Sequence, residues 1–364
     1  MLTSADIKGE AHRLGFDLCG VAPAAAWPEL ARFEEWLARG YAGGMTYLHR
    51  SAATRADIRA FLPTARSVIV TGTLYHTDEP PAETAGDGTA DRRGTRPADA
   101  VRVARYARGD DYHRVLAERL EALVAWMRSH GDEPFDAAVF VDKHHVQERV
   151  YAAHAGIGWI GKNACVIHPE IGSWLLLAGV ATSLPLQPDA PQPDQCGGCT
   201  LCLDACPTGA LVQPRLLDAT KCIAYLTIEL DGAVPRDQRP HVDDHFFGCD
   251  ICQEVCPWNL AAPVTADPAW RGPKRDGVRA AELWLRTDQE LHAFVRGSAM
   301  THASLARLRR NLALVIGNTG DPALAEVLDR PGRGVRNAAH SAQTAPVQDA
   351  VAWAKARLAG ERPA

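Results

Sequence analysis

Two cysteine blocks decide how this chain folds: CGGCTLCLDACP at residues 196–207 and CDICQEVCP at residues 249–257. Both blocks separate their cysteines by two or three residues and end in Cys-Pro, and Cys222 lies between them. Two-residue gaps let one tight turn place three thiolates around one iron–sulfur cubane, and the proline after the last cysteine ends the turn. The spacing therefore predicts an electron-carrying region with iron–sulfur clusters.

The same spacing occurs in bacterial ferredoxins that carry two 4Fe–4S clusters, where the last cysteine of each block binds the cluster of the other block. This rule assigns Cys196, Cys199, Cys202 and Cys256 to one cluster. It assigns Cys206, Cys222, Cys249 and Cys252 to the second. A ferredoxin without inserted segments would have a further cysteine three residues before Cys249. That position is Phe246 in this chain, so we expect Cys222 to supply the missing ligand.

Zinc and disulfide bonds are the alternative uses of such cysteines. Zinc ribbons pair two CxxC knuckles and do not need the Cys-Pro ending. Disulfides require an oxidising compartment, for which the sequence gives no sign. Two 4Fe–4S clusters remain the prediction.

Length and charge limit the other possibilities. A chain of 364 residues predicts two or three domains. The net charge of −5 means that a nucleic acid would need a local basic surface. The first 16 residues have an amphipathic helical pattern without the apolar core of a signal peptide, and no apolar run reaches the length of a membrane span. We therefore expect a cytoplasmic monomer that does not associate with a membrane.

The pattern of elements predicts a multidomain α+β protein. Residues 1–185 are expected to form a mixed α/β domain, with strands at residues 67–75, 137–141 and 174–182 and helices at residues 27–39 and 112–129. Residues 186–262 are expected to form the ferredoxin-like domain, with a helix after each Cys-Pro and another at residues 217–230. Residues 263–364 are expected to be helical with HEAT-like repeats, for which the paired Arg310-Asn311 and Arg336-Asn337 are weak support. Residues 77–100 predict a long surface loop.

Asp142 ends an apolar strand and is the candidate proton donor. A carboxyl group held at the edge of a sheet against a bulky apolar cofactor would have a raised pKa and could donate a proton. An ordinary strand-end turn or a helix N-cap is the alternative. Glu148 is the second candidate, but its neighbour Arg149 and its expected helical position favour a structural ion pair.

Other notable residues have structural interpretations. Gly156, Gly158 and Gly161 form G-x-G-x-x-G without a preceding strand, so we expect close backbone approach and not a dinucleotide site. His144 and His145 are expected to be solvated or capping, and Cys19 and Cys165 to be inert core thiols. Eight arginines between Arg92 and Arg119 are either a solvated face or a nucleic-acid surface.

Several stretches together resemble the epoxyqueuosine reductases, cobalamin-dependent iron–sulfur enzymes that complete the queuosine base in tRNA. The similarity covers the whole chain. Its stretches are GGMTYLHR (43–50), YARGDDYHRVLAERL (106–120), the Asp142 segment, AGIGWIGKNACVIHPEIGSWLLL (155–177), CGGCTLCLDACPTGAL (196–211), KCIAYLTIEL (221–230) and FFGCDICQEVCPWN (246–259).

The resemblance implies a cobalamin bound base-off, without a side-chain lower ligand. In agreement, the Asp-x-His-x-x-Gly signature of histidine-ligated cobalamin is missing, because its nearest match, Asp111-x-His113, has Leu116 in place of glycine. The implied cobalamin contacts are Arg50, Ala224 and the backbone of Cys249, Asp250, Ile251 and Cys252. The implied substrate is a tRNA with epoxyqueuosine at the wobble position, with Asp142 as proton donor and an electron donor that the sequence does not identify.

Two positions depart from the family pattern. Lys143-His144-His145 follows Asp142 where the family has small residues and proline, and Ala224 replaces a serine. Both departures lie near the expected pocket. Two alternatives also remain: a cobalamin-dependent reductive dehalogenase, which usually carries an export signal, and a soluble ferredoxin-type electron carrier, which would not need the large N-terminal region.

Overall fold

The computed structural model describes residues 2–77, 97–272, 275–332 and 340–361. Its strands are β1 Leu18–Pro23, β2 Ser67–Leu74, β3 Arg102–Val103, β4 Ala137–Phe140, β5 Trp159–Ile160, β6 Val166–Ile167, β7 Leu175–Thr182, β8 Leu211–Gln213, β9 Leu216–Leu217 and β10 His245–Phe247. The three strands expected near residues 67, 137 and 174 are therefore present.

The α-helices are α1 Ser4–Arg13, α2 Pro28–Ala38, α3 Thr46–Arg50, α4 Ala52–Arg55, α5 Tyr112–His130, α6 Glu148–His154, α7 Leu201–Asp204, α8 Ile223–Ile228, α9 Arg239–Val242, α10 Ile251–Glu254, α11 Ala280–Trp284, α12 Asp288–Val295, α13 Leu305–Asn318 and α14 Ala345–Leu358. Short 3₁₀ segments lie at Ile58–Ala60, Arg105–Ala107, Ala219–Lys221, Pro257–Asn259, Pro268–Trp270, Ala299–His302, Pro322–Asp329 and His340–Gln343. In the described part of the chain, none of these helices combines the length and hydrophobicity that crossing a membrane requires.

The chain divides into two compact units, each built from separate segments. The first unit contains Met1–His76, Asp111–Ala219 and Ile251–Trp270, and the second contains Thr77–Asp110, Thr220–Asp250 and Arg271–Ala364. The three consecutive domains expected from the sequence differ from this division and stay a prediction.

The first unit contains a four-stranded antiparallel sheet in the order β1-β2-β7-β4. The long strands β2 and β7 pair from Ser67 opposite Thr182 to Leu74 opposite Leu175, and every residue of β2 is buried. Such a strand is apolar along its whole length because both of its faces are covered. Strand β1 was missed from the sequence because LCGVAP contains glycine and proline and is short.

Helix α6 packs against this sheet and places the segment that follows Asp142. Tyr151 of α6 is buried, and its hydroxyl donates to the carbonyl of Ala25 and accepts from the N–H of Ile58. Gly20 of β1 allows the close approach, because a methyl group there would lie 2.0 Å from the carbonyl oxygen of Ala155. The residues after Asp142 are thus anchored to the sheet.

The second unit is built around helix α13, whose side chains from Leu308 to Gly317 are all buried. Helices α13 and α14 pack against each other, and the short strands β3 and β10 pair in parallel. The expected helical character after residue 263 is present. The HEAT-like repeat stays a prediction, and Arg336 and Asn337 lie outside the described residues.

Candidate active site

The first cysteine block and the last cysteine of the second block meet in the first unit. Cys256 packs in one apolar cluster with Trp159 and Ile167, and Cys196 and Trp258 lie against the same group. The two tryptophan rings meet edge to face with centroids 5.0 Å apart. These aromatic rings pack beside Cys256, which is buried, while Cys196 stays partly exposed.

Electrostatic effects confirm that these thiols are neighbours. The pKa of the Cys256 thiol is raised, first by burial and further by the charges of Cys196, Cys202 and Cys165, although the backbone N–H of Trp258 lowers it. The pKa of Cys202 is likewise raised, mainly by burial, with smaller contributions from Cys196 and Cys199. Four thiols that converge from two blocks fit one 4Fe–4S cluster with the crossed ligation expected from the spacing.

Short helices position these cysteines, but they precede each Cys-Pro and do not follow it. Helix α7 lies between Cys199 and Cys206, and helix α10 ends at Glu254, two residues before Cys256. After Cys206-Pro207 the chain makes a turn and enters β8, and after Cys256-Pro257 it forms only a 3₁₀ turn. The prediction of a helix after each Cys-Pro was wrong, because proline ends the cysteine turn without starting a longer helix here.

The turn after β5 holds both cysteine blocks. The ammonium group of Lys162 donates to the carbonyl oxygens of Gly197 (2.7 Å) and Cys199 (2.8 Å). The side-chain amide of the next residue, Asn163, donates to the carbonyl of Cys252 at 3.3 Å. Sequence analysis missed both roles, although both residues lie in the stretch that carries the family resemblance.

The glycines before this turn serve close backbone approach, as expected. A methyl group on Gly158 would lie 2.2 Å from the carbonyl oxygen of Ile167, and one on Gly161 would lie 2.4 Å from the Ile167 side chain. Gly156 has a positive φ of 73°. The group that approaches Gly158 and Gly161 so closely is Ile167, on the opposite strand of the β5–β6 hairpin.

Among the cysteines predicted to bind the second cluster, Cys206 has hydrogen bonds that favour its thiolate. Its sulfur accepts a hydrogen bond from the N–H of Ala210 at 3.3 Å and contacts the Thr208 hydroxyl at 3.5 Å. Burial raises its pKa, but these hydrogen bonds outweigh burial and leave the pKa below the ordinary value. Hydrogen bonds to cluster sulfurs also tune reduction potential.

Cys222 and Cys249 belong to the second unit, where neighbouring segments hold them. Cys222 is the N-cap residue of α8, which starts one residue later and is shorter than the helix expected at residues 217–230. The Thr227 hydroxyl of α8 accepts a 3.0 Å hydrogen bond from the N–H of Gly248, the residue before Cys249. The two ligand-bearing segments are therefore joined directly.

Helix α13 fixes these two segments through a buried Arg310-Asn311 pair. Asn311 donates to the carbonyl oxygens of Thr227 (2.7 Å) and Phe246 (2.9 Å). Arg310 donates to the carbonyl oxygens of Leu226, Leu230 and Gly232. Both side chains are at most 1% exposed, and the carbonyl groups of Leu226, Thr227 and Phe246 that they satisfy belong to buried residues.

The two remaining cysteines differ from each other. Burial raises the pKa of Cys19 to about 12, which agrees with an inert core thiol. Cys165 is half-buried, and its charge raises the pKa of Cys256. It therefore lies close to Cys256, which the sequence did not indicate.

Asp142 lies two residues after the end of β4 and has a left-handed backbone conformation, with φ of 42°. This conformation is uncommon for residues other than glycine and is often found at functional sites. Its side chain is 58% exposed, and Oδ2 lies 3.0 Å from Nε2 of His113. The protein alone therefore does not bury Asp142, and a desolvated carboxyl would need a cofactor or substrate against it.

The loop after Asp142 is tied to neighbouring elements. Arg55 donates to the carbonyl of Val146 at 3.0 Å, and the side chain of Gln147 donates to the carbonyls of Leu30 and Arg55. His144 caps the strand end, because its Nδ1 accepts from the N–H of Val141 at 3.0 Å. The capping role expected for His144 is present.

Glu148 differs from its expected role. It begins α6, but its Oε1 atom is buried and makes no hydrogen bond, and Arg149 donates to the carbonyl of Ala164 instead. Burial raises the pKa of Glu148 to about 8, although a backbone hydrogen bond opposes the rise, and the charge of Asp142 adds to it. The expected ion pair with Arg149 was wrong, and burial favours the protonated form of the Glu148 carboxyl.

A cavity of about 680 Å³ lies beside Glu148 in the first unit. Apolar side chains of α2 and of the residues before α4 line it, together with several arginines. Its main lining residues are Phe33, Trp36, Leu48, Arg55, Arg149 and Arg215. A cavity of this size with apolar walls, cations and one buried carboxyl suits a large ligand with amide or phosphate groups.

The cofactor contacts implied by the resemblance are placed as follows. Arg50 is exposed at the end of α3, close in sequence to Met45 and Leu48 of the cavity wall. Ala224 is partly buried in α8. Asp250 is buried, and its carboxylate accepts a 2.8 Å hydrogen bond from the N–H of Arg105. The side chain of Asp250 is therefore already engaged, so the cobalamin contact that the resemblance implies would be made by its backbone.

The described part of the arginine run is largely paired. Arg102 contacts Asp244 (3.2 Å), Arg108 contacts Asp276 (3.7 Å), Arg114 contacts Glu118 (3.0 Å) and Arg119 contacts Asp267 (2.6 Å). Arg92, Arg93 and Arg96 lie outside the described residues. Three of these pairs are largely buried, so they favour a structural role for these arginines, whereas only Arg114 of the four lies on a solvated face.

Comparisons with known proteins give one family at the level of sequence and of fold. The family model described as Epoxyqueuosine reductase QueG, DUF1730, matches residues 55–143, and the 4Fe-4S double cluster binding domain matches residues 195–259. The epoxyqueuosine reductase of Gloeobacter violaceus is 40% identical over 328 residues, 88% of this chain and 97% of that protein. That of Xanthomonas campestris is 36% identical over 357 residues, 97% of this chain and 96% of that protein.

Solved structures agree. An epoxyqueuosine reductase with an epoxyqueuosine-modified tRNA-Tyr stem loop has a TM-score of 0.84 and 26% identity, over 97% of this chain and 89% of that chain. The Bacillus subtilis enzyme, solved with its catalytic aspartate loop swung out of the active site, has a TM-score of 0.82 and 26% identity, over 97% of this chain and 90% of that chain.

Proposed function

The chain belongs to the epoxyqueuosine reductase family, and from that premise we propose that it reduces the epoxide of epoxyqueuosine in tRNA to give queuosine. The observation that carries the proposal is the extent of the match. Relatives of this name align along nearly the whole chain, and the fold of a relative solved with modified tRNA aligns over 97% of it. The alternatives of a dehalogenase and of a simple electron carrier have no comparable support.

Two 4Fe–4S clusters would supply the electrons. Cys196, Cys199, Cys202 and Cys256 would hold one cluster, for which the convergence of Cys256 with the first block is the support. Cys206, Cys222, Cys249 and Cys252 would hold the second. The basic side chain of Lys162 and the N–H groups around Cys206 favour the negative charge of thiolate-bound clusters.

Cobalamin would bind near Arg50, Ala224 and the backbone of Cys249, Asp250, Ile251 and Cys252. When bound, it supplies a cobalt centre that takes electrons from the clusters and reduces the substrate. The structure supports base-off binding, since both ring nitrogens of His113, the nearest match to a cobalamin-ligating histidine, contact carboxylates. The cavity with the unpartnered Glu148 carboxyl has the size and character to accept part of such a cofactor.

Asp142 would protonate the epoxide oxygen as it leaves, because an alkoxide leaves poorly unless it is protonated. Its position in the loop after β4 leaves the side chain 58% exposed on the first unit, where a tRNA nucleotide could reach it.

The partner would be a tRNA with epoxyqueuosine at the wobble position, bound by a cytoplasmic monomer that also receives electrons from a separate donor. Since four arginines of the 102–119 region are paired with carboxylates, we place more of the phosphate contacts on other basic side chains than on this region. Binding should weaken steeply with salt, as phosphate contacts do.

Anaerobic turnover tests the proposal. Protein with reconstituted clusters and cobalamin is incubated with a reductant and tRNA carrying epoxyqueuosine, and the digested nucleosides are analysed by mass spectrometry. We expect loss of one oxygen mass from the modified nucleoside. An unchanged tRNA together with halide release from a halogenated arene would favour the dehalogenase, and purified protein that never binds a corrinoid would favour the electron carrier.

The same assay tests Asp142. Asp142→Asn should keep the visible spectrum of both cofactors and lose turnover by roughly 10²–10⁴-fold, the usual effect of removing a general acid. Wild-type turnover in this variant would remove Asp142 from the mechanism. Failure to bind cobalamin would instead make Asp142 a structural residue.

A further inference from the structure

Three side chains of the first unit form a continuous hydrogen-bonded chain that ends at Asp142. Nδ1 of His113 lies 2.7 Å from Oδ1 of Asp111, and Nε2 lies 3.0 Å from Oδ2 of Asp142. The His113 side chain is 13% exposed, whereas that of Asp142 is 58% exposed. The imidazole is therefore an internal group that reaches the surface through Asp142.

The protonation state follows from these contacts. A carboxylate only accepts hydrogen bonds, so an imidazole with a carboxylate on each nitrogen satisfies both contacts only when both nitrogens carry hydrogen. Burial lowers the pKa of His113, but the hydrogen bonds and charges of Asp111 and Asp142 outweigh burial and raise it above the ordinary value. The contacts therefore favour the cationic imidazole, with hydrogen on both ring nitrogens.

The local fold keeps the imidazole in place. Asp111 is the N-cap of α5, and its Oδ1 also accepts from the N–H of His113 at 3.1 Å. The ring of Tyr112 stacks on the imidazole with centroids 4.0 Å apart. The hydrogen bond to His113 lowers the pKa of Asp111 despite its burial, and the charge of Lys143 contributes to the lowering. Asp111 therefore stays ionised and orients Nε2–H towards Asp142.

This arrangement matters for the supply of protons, an inference that rests on the proposed function. Deoxygenation of an epoxide breaks both C–O bonds and releases water, so two electrons and two protons are consumed in each turnover. The clusters provide the electrons. Oδ2 of Asp142 accepts the hydrogen bond from the cationic His113, so Asp142 needs a group that gives it a proton before it can donate one.

We propose that His113 is this group and acts through Asp142. The proton on Nε2 of His113 passes to Oδ2 of Asp142, and Asp142 passes a proton to the leaving oxygen. Solvent then protonates His113 again, and the same path delivers the second proton. Asp111 holds the imidazole in the required orientation and stabilises its charged form.

Replacement of His113 tests the path. His113→Gln keeps a side chain that can donate to a carboxylate but cannot titrate. The measurement is kcat and KM as a function of pH, with the modified tRNA and excess reductant. Wild-type kcat should fall at alkaline pH as His113 loses its proton. In His113→Gln we expect kcat to fall by roughly 10²-fold or more, with an unchanged KM and without the alkaline decrease that belongs to His113.

Two variants serve as controls. His130→Gln changes an exposed histidine at the other end of the same helix and should leave the pH profile unchanged. Asp111→Asn keeps His113 but removes one of its carboxylates, and should move the alkaline decrease to lower pH. A wild-type rate and profile in His113→Gln would overturn the proposal, as would loss of the alkaline decrease in Glu148→Gln instead.

A measurement without turnover separates this inference from the proposed function. The His113 ring signal, assigned by its absence in His113→Gln, is titrated by NMR in the wild-type protein and in Asp142→Asn. The pKa of His113 should fall in Asp142→Asn because one carboxylate is lost. An unchanged titration would overturn the proposal even in an enzyme that reduces the tRNA, and a shifted titration would support the pair even if that activity failed.

Discussion

The buried carboxyl of Glu148 predicts an unusual dependence of stability on pH. Its pKa rises from 4.5 to about 8 in the folded protein, with burial as the main cause. The folded state therefore holds this proton more tightly than the unfolded chain does. The stability that it contributes is complete below the unfolded pKa, and it is lost as the pH rises towards about 8.

The magnitude follows from the size of the shift. Between pH 6 and pH 8 the unfolded carboxyl is ionised while most of the folded carboxyl is not. Each pH unit in this range costs about 1.4 kcal/mol of unfolding free energy, less close to the folded pKa, so the loss is roughly 2 kcal/mol. Glu148→Gln keeps the shape of the side chain and cannot ionise. The variant should therefore gain about 2 kcal/mol on the wild type between these pH values.

Anaerobic urea unfolding, followed by tryptophan fluorescence at pH 6 and pH 8, measures this difference. Other titrating groups affect the wild type and the variant alike and cancel in the comparison. Glu133→Gln, at an exposed position, is the matched control and should track the wild type at both pH values. If Glu148→Gln also loses stability in parallel with the wild type, Glu148 is ionised in the folded state and the burial argument is refuted.

Lys162→Met should lower the reduction potential of the cluster assigned to Cys196 and its partners, because the variant removes a positive charge close to that cluster. A unit charge within ~10 Å contributes roughly 70 mV at an effective dielectric of about 20. Potentiometric EPR measures the potential, and an unchanged value would contradict an electrostatic role of Lys162. Asn311→Ala should cost about 1–3 kcal/mol and reduce iron content by leaving two buried carbonyls unsatisfied, whereas Asn318→Ala on the same helix should cost stability but no iron. Cys222→Ala should retain about half of the roughly eight irons expected for two cubanes, and retention of all iron would exclude Cys222 as a ligand.

Local patterns predicted much of the fold. Strands β2, β4 and β7 are runs of apolar residues, and α2 and α5 follow a clear helical period, so burial and sequence agree. Strand β1 was missed because glycine and proline within six residues hide its character, although Gly20 is needed for the approach of α6. The helices placed after Cys-Pro were wrong, because the cysteine turns have their own short helices before the proline.

The site was predictable only where its members are close in sequence or follow a known spacing. The convergence of Cys256 with Cys196 follows the ferredoxin rule. The contact of His113 with Asp142 joins residues 29 positions apart, and no spacing indicates it. The sequence suggested an ion pair between Glu148 and Arg149. Adjacent residues on a helix do not face each other, however, and Arg149 instead donates to the carbonyl of Ala164.

The buried Arg310-Asn311 pair has a consequence for how this protein can be divided into fragments. A shortened protein that ends before α13 would keep all eight proposed cluster cysteines, yet five carbonyl groups of the segments around Cys222 and Cys249 would lose their donors. Removing α13 would also expose the faces of α8 and β10 that it covers, and five lost hydrogen bonds at roughly 0.5–1.5 kcal/mol each already approach the stability of a typical domain. The C-terminal helices therefore belong to the minimal iron-binding fragment, although they contribute no cysteine to it.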